Sequence, residues 1–430
     1  MKRRFINILL YTFFLIQGDY IYSQNFYPSF DLPDHKSFID INAHYEISSN
    51  SISNHFVQQY LSGKYIDSLH KQWMFAGLKK KNYLGADYGG SISYSFSLDS
   101  LTKKSNLKFF IKYNTYNHID IVFTNDLCKL FFNGNKQFAG QSAIFDQSSL
   151  QILNYDQYQF GFTKKIVNKN KSHTLGIGLG LNNGYKNNII NFTEASLFTD
   201  ANAEYIDLYA NYEVYRSNAV SQNSNFFNGT GASINLYYSY KSAHKNIFNF
   251  SITELGFIRW NNRSQHFAKD TLIHFEGVPI HDILNIENPI FENANTDSII
   301  QEYTYADTTT SYITPTPTSI HFSYLYNFSE RAKAEISILK KLYIHYSPFI
   351  KLKIQYLPTS KHLISLNLSY GGYSSFDNMR RYQIKTGLEY AHYFKNGIIL
   401  AIGSDFLNGF LWRYSSTSQG AYISLKKYIF

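Results

Sequence analysis

The stretch Ile364-Ser-Leu-Asn-Leu-Ser-Tyr370 alternates strictly, with Ile364, Leu366, Leu368 and Tyr370 on one side and Ser365, Asn367 and Ser369 on the other. Successive side chains of a β-strand point to opposite faces, so this is a strand with one apolar and one polar face. The period recurs in Ser91–Leu98, where Ile92, Tyr94, Phe96 and Leu98 oppose four serines. It recurs again where Ile206, Leu208, Ala210, Tyr212 and Val214 oppose Asp207, Tyr209, Asn211 and Glu213, and in Ile234, Leu236, Tyr238 and Tyr240.

A secreted β-sandwich alternates too, and three features separate the two cases. The alternating segments are often ten residues or longer, as a tilted membrane crossing requires. Aromatic residues make up 18% of the chain, with 38 Tyr and 36 Phe, which suits interfacial girdles of rings with one apolar and one wet end. The chain also ends on Tyr428-Ile429-Phe430, the aromatic carboxy terminus expected of a closing barrel strand. In a bilayer every backbone polar group must be bonded internally, so strands cross only as a closed barrel. The expected fold is therefore all-β, a transmembrane antiparallel β-barrel of about 14 strands, within roughly 12–16. Candidate crossings fall at 37–48, 84–98, 106–117, 150–166, 172–182, 187–198, 203–215, 229–241, 246–260, 264–276, 311–327, 333–356 (two), 361–373, 379–393, 397–407 and 418–430. They exceed the expected number, so some are loop hairpins. A chain this short cannot also build the plugged transporters of about 22 strands.

Mean hydropathy is −0.29, which leaves no reservoir of helical membrane spans. The one sustained apolar run, Phe5–Ile16, follows Lys2, Arg3 and Arg4 and is too short to span a bilayer. It reads as a cleavable signal peptide over residues 1–23, cut after Ser23, with a single outer-membrane barrel domain over 24–430. The net charge of +9 includes Lys2, Arg3, Arg4 and Asp19, so the mature chain carries +7. Such a surface suits outer-membrane lipid and lipopolysaccharide, although the lysines gather at expected turns, among them Lys164, Lys165, Lys169 and Lys171, where solvation suffices. No motif supports nucleic-acid binding. Cys128 is the only cysteine, which excludes an intramolecular disulfide, and it reads as a buried helix residue.

Two segments break the alternation. Ile52, Phe56, Tyr60, Leu69, Trp73 and Met74 recur at helical spacings within 52–80, interrupted at Gly63. Asp126 opens Leu127–Phe132 before Gly134, an expected short helix over 126–134, N-capped by Asp126 and ended by the glycine. Helices in a small barrel lie in the lumen or at its mouth, as a hatch or as filler. The third irregular segment, 277–319, holds Asp282, Glu287, Glu292, Asp297, Glu302 and Asp307 without a Lys or Arg, and ends in Thr314-Pro315-Thr316-Pro317. It reads as a long solvated acidic loop, alternatively a contact loop for a protein partner.

Motifs that carry catalysis are lacking: the chain has no HExxH, CxxC or phosphate-binding loop. His274 and His281 beside Glu276 and Asp282 fit no metal-ligand spacing. Gly176-Ile-Gly-Leu-Gly180 lacks a following helix and reads as a barrel bend or close packing. The expectation is no enzyme, no cofactor, no metal and no catalytic residue.

Four blocks carry a family resemblance: Tyr65-Ile-Asp-Ser-Leu69 with Gly77, Leu78 and Asn82; Asn125-Asp-Leu-Cys-Lys-Leu-Phe-Phe-Asn-Gly-Asn135 with Phe138-Ala-Gly140; Ile252-Thr-Glu-Leu-Gly-Phe-Ile-Arg-Trp260 with His274-Phe-Glu-Gly277; and Tyr370-Gly-Gly-Tyr373. In these the chain resembles an uncharacterised family of Bacteroidota outer-membrane barrels, a domain of unknown function. The family usually has Asp where Glu254 stands. The resemblance implies architecture and compartment, and a general plan similar to the 14-stranded barrels that pass hydrophobic, fatty-acid-type compounds. It carries over no activity or ligand residue.

The leading functional expectation is passive transport of a small or hydrophobic solute through a partly plugged barrel, with hydrophobic small-molecule cargo and Trp73, Phe131 and Phe132 as the lumen or hatch surface. The alternatives are a sealed barrel that docks a secretion or gliding apparatus through 277–319, and a purely structural outer-membrane protein.

Overall fold

The computed structural model describes residues 37–97, 106–217, 227–276, 309–373 and 384–429. The signal-like segment, Phe430, His281, Asp282 and most of the acidic 277–319 segment lie outside the described residues.

Fourteen antiparallel strands close a ring. In ring order they are β1 (Ser37–Ser49), β2 (Lys81–Ser97), β3 (Leu107–Thr124), β5 (Ser149–Asn168), β6 (Lys171–Thr199), β8 (Gly229–Lys241), β9 (Ile247–Trp260), β12 (Ser319–Asn327), β13 (Ala332–Lys341), β14 (Ser347–Thr359), β15 (His362–Gly372), β16 (Lys385–Tyr393), β17 (Ile398–Ser404) and β18 (Ser418–Ile429). The last pairs with the first, from Ser37 opposite Ile429 to Ser48 opposite Ser418, so no barrel edge is left open.

The surplus of candidate crossings has a structural reason. Segments 172–182 and 187–198 are one 29-residue strand, β6, whose first half pairs with β8 in the ring and whose second half runs on beyond it. There β6 pairs with β7 (Ile206–Arg216) and β4 (Gln141–Ile144), and β7 pairs with β10 (Gln265–Phe275). The segments 203–215 and 264–276 are therefore not crossings. Their alternation serves a small sheet outside the ring, whose apolar face packs Ala195, Ala210, Tyr212 and Val214 around Phe145. The short β11 (Ile313–Pro315) pairs with the upper end of β9.

The ring is apolar outside and polar inside. Ile92, Ile111, Phe160, Leu179, Leu366 and Leu388 face outward and are exposed, while Ser93, Ser365, Asn367 and Glu389 face inward and are buried. That inversion suits hydrocarbon outside and explains a slightly hydrophilic chain that crosses a membrane. Gly176, Gly178 and Gly180 form an inward column crowded by neighbouring side chains: a Cβ on Gly178 would lie 2.1 Å from Gln159 Nε2, and one on Gly180 2.4 Å from Ser233 Oγ.

The two ends differ. Residues 169–170, 242–246, 328–331, 360–361 and 394–397 are short turns at the end where β18 finishes. The helices gather at the opposite, long-loop end. These are α1 (Asn54–Leu61), α2 (Ser68–Gly77), α3 (Asn125–Asn133) and α4 (Leu407–Leu411). Gly63, at φ +64°, separates α1 from α2 as its position implies. Gly134, at φ +75°, ends α3, but the N-cap is Thr124 rather than Asp126: Thr124 Oγ1 accepts from Leu127 N at 3.2 Å. Asp126 instead accepts from Ile144 N at 3.1 Å, which ties the helix to β4.

Candidate functional site: a side-chain closure beneath an aromatic mouth

The interior is a set of layers. Near the long-loop end, Leu339, Ile344, Tyr346, Phe349, Tyr373 and Phe406 form one apolar cluster, and Leu153, Tyr155, Ile258, Trp260 and Tyr312 another. Among these, charged groups meet across the lumen. Lys341 Nζ on β13 lies 2.5 Å from Asp87 Oδ2 on β2, and Tyr373 Oη donates to the same oxygen at 2.9 Å. His118 on β3 bonds the other carboxylate oxygen of Asp87. The β13–β14 turn crosses too, since His345 N and Nδ1 both reach Asp120 Oδ2 on β3, at 2.9 and 2.8 Å.

Closer to the short-turn end, buried lysines of β14 meet carboxylates along the same wall. Lys353 Nζ lies 2.7 Å from Glu389, which also accepts from Ser365 Oγ at 3.0 Å and Tyr422 Oη at 3.2 Å. Lys351 pairs with Asp405 at 3.3 Å, and Asn367 donates to Asp405 at 2.9 Å. Ionisable groups inside a membrane are costly unless paired, and they mark functional positions by default. Beside the cross-lumen contacts, both Glu46 carboxylate oxygens, His118 Nε2 and Asp120 Oδ1 have no hydrogen-bond partner among the described residues.

Glu254 lies within the Ile252–Trp260 block. It sits in a β-bulge between β8 and β9, at φ +61°, with its carboxylate buried in the lumen and accepting from Tyr155 Oη at 3.1 Å. A left-handed backbone is uncommon for a side chain as long as Glu, and the bulge holds it there. The Thr-Pro repeat fixes the same corner: Trp260 Nε1 donates to Thr314 Oγ1 at 2.8 Å, and Thr316 Oγ1 to Glu254 O at 2.5 Å.

The sequence-derived surface residues lie at the long-loop end, outside the lumen, on helices packed against the outward-facing Leu84, Ile121 and Phe123. The three longer helices pack Ile52, Phe56, Val57, Met74, Phe123 and Cys128 into one core. Phe132 is half-buried there, with its ring 5.0 Å from that of Phe56 and 4.9 Å from that of Phe131. Phe131 is 66% exposed and Trp73 57% exposed, so both present bare rings to the outside. Trp73 stands against His70, and α2 joins α3 through Lys71 Nζ on Phe132 O at 2.7 Å. The residues that meet across the lumen, Asp87, Lys341, His345 and Asp120, were missed by sequence reading. The available signal was a charge at an inward position of an alternating strand, and Tyr373 already belonged to the Tyr370–Tyr373 block.

Burial pushes the Cys128 thiol up to about 12. In the outer sheet, His274 Nδ1 bonds Asp207 at 2.5 Å and its Nε2 bonds Glu276 at 3.2 Å; these two bonds, Asp207 first, hold the imidazole above its ordinary value.

These features define a transmembrane β-barrel with side chains meeting across its lumen and exposed rings on its long-loop helices. The chain belongs to the Family of unknown function (DUF5723), whose model matches residues 28–387. No curated protein matches it. Among solved structures it is similar to the TodX deltaS2S3 mutant monoaromatic hydrocarbon channel, at 10% identity and TM-score 0.43, over 96% of this chain and 95% of that one. It is similar to the toluene transporter TodX of Pseudomonas putida, at 11% identity and TM-score 0.40, over 93% and 91%. A Pseudomonas aeruginosa FadL homologue matches at 9% identity and TM-score 0.43, over 91% and 90%.

Proposed function

We propose that this chain is exported by its signal peptide, sits in an outer membrane with its short turns in the periplasm, and admits a small apolar or amphipathic solute by passive passage. The observation that carries the reading is how the lumen is closed. Opposite walls are held by side chains, Lys341 and Tyr373 on Asp87 and His345 on Asp120, and not by backbone ladder. Side-chain contacts can rearrange while the barrel's hydrogen bonds stay intact. At the long-loop end, on helices outside the wall, Trp73 and Phe131 offer an exposed apolar surface for capture. Below, Glu46, His118 and Asp120 offer free polar atoms to a solute's polar group.

The test is flux and conductance of the purified mature protein in planar bilayers and liposomes, intact and with 54–77 shortened to a tight loop. Solute-dependent flux that rises on trimming supports the proposal. If neither form passes any solute, passage is excluded.

A second reading has its own observation. Among the described strands, β10 is bonded only to β7, and the acidic 277–319 segment follows β10 in the sequence. A sealed barrel docking a protein partner there would lose that partner when residues 277–308 are removed, with permeability unchanged.

A further inference from the structure

The periplasmic rim carries a charge pattern that the passage of a solute does not use. Each of the five described short turns contains one fixed cation: Lys169, Lys245, Arg331, Lys361 and Lys395. Against them, Glu330 is the one acidic residue in those turns. Two of these cations flank a concavity of about 480 Å³ where the β14–β15 and β16–β17 turns meet, lined by Lys361, His392, Tyr393, Phe394, Lys395 and Asn396.

The floor of that concavity is held by backbone. Tyr393 N donates to Lys361 O at 2.8 Å, and Phe394 N to Ile398 O at 2.8 Å. Gly397, at φ +75°, closes the β16–β17 turn, and Tyr428 N donates to its carbonyl at 2.9 Å. Lys427 Nζ donates to Asn396 O at 2.7 Å, which ties the turn to β18. The ammonium groups of Lys361 and Lys395, by contrast, are exposed and make no hydrogen bond or ion pair among the described residues.

Its position in the barrel selects the ligand. Directly above, on the outward face, come His362 and His392, with Nδ1 atoms 3.4 Å apart, and Tyr390, whose Oη lies 2.7 Å from His362 Nδ1. Above these the outward column turns apolar, through Ile364 opposite Tyr390 and Ile402 opposite Tyr390 on the other side. The sequence of environments is hydrocarbon, then an aromatic and imidazole girdle, then paired ammonium groups. A phospholipid lying along this wall has the same order: acyl chains, glycerol ester, phosphate. A basic recess at the membrane surface attracts a lipid phosphate through a field that falls off within a Debye length.

We propose that this recess binds the phosphate of a phospholipid headgroup from the periplasmic leaflet, between Lys361 and Lys395, with the Phe394 ring and His392 against the glycerol region. The bound lipid anchors the closing strands β15 to β18 at a fixed depth.

The test is native mass spectrometry of the mature barrel in a nonionic detergent, titrated with dioctanoyl phosphatidylglycerol, dioctanoyl phosphatidylethanolamine and, as a phosphate-free control, dioctanoylglycerol. The expected result is one retained phospholipid of either kind and no retained dioctanoylglycerol. K361A/K395A weakens retention about thirtyfold. K361R/K395R restores it, and millimolar inorganic phosphate does not displace the lipid. All four substituted side chains lie in exposed turns, and heat-shifted migration of the folded barrel on gels confirms that each variant is closed. Equal retention by K361A/K395A overturns the proposal. So does an equal loss in K169A/K245A, which would mean a diffuse basic rim, or displacement by inorganic phosphate, which would mean a site for free anions.

Discussion

Lys341 Nζ lies 2.5 Å from Asp87 Oδ2, although six strands separate β13 from β2 whichever way the ring is followed. The pair therefore joins opposite walls. Both groups are buried, so removing one leaves an uncompensated charge where solvent cannot reach it. K341M is expected to lower stability by about 3 kcal/mol, while D87N/K341M recovers most of that loss. Under the passage reading the double variant also conducts more than the native barrel. Denaturant unfolding and single-channel recording check the two halves separately, and unchanged conductance in a stable double variant would place the closure elsewhere.

Exposure separates two roles among the mouth aromatics. Trp73→Ala and Phe131→Ala remove bare rings and should change stability by no more than about 0.5 kcal/mol, while reducing uptake of an apolar solute. Phe56→Ala opens a cavity in the helical core and should cost about 3–5 kcal/mol locally. Proteolysis of the mouth, compared with liposome flux, reads both effects.

The Cys128 thiol is held protonated by burial up to about pH 12. Its folded value exceeds the ordinary value of 9.0, so its contribution to stability is present below about pH 9 and is lost as pH rises toward 12. The folded protein should react with a disulfide reagent at pH 8 far more slowly than the unfolded chain does. Rapid labelling of the folded barrel would show that α3 opens readily.

His274 behaves with the same sign at lower pH. Asp207 and Glu276 raise it above 6.5, so the clamp is fully present below 6.5 and is lost as pH rises through the raised value. Amide exchange in β10 should quicken over that window and lose its pH step in His274→Gln. An unaltered step in the variant would assign the transition to another group.

Much of the fold was legible because a membrane barrel constrains each strand locally. The alternation in Ile364–Tyr370 and Ser91–Ser97 gave both strands and their outward faces without knowledge of their neighbours. The same signal over-counted at 203–215 and 264–276, because a sheet outside the ring also needs one apolar face. The helices over 52–80 and 126–134 were readable from spacing and glycine. Thr124 was missed as the cap of the second because capping depends on backbone geometry at the strand's end.

The sequence by itself determined that this chain is a barrel, how its faces are oriented and where its helices interrupt the strands. Those properties follow from side-chain periodicity, and periodicity is local. Only the tertiary structure decided that β6 serves two sheets, that the helices pack on the outer side of β1 to β3, and that Asp87 meets Lys341. Those two residues are 254 positions apart. Strand order and tilt alone bring them together, and no local pattern records which inward charge a closed ring will place opposite another.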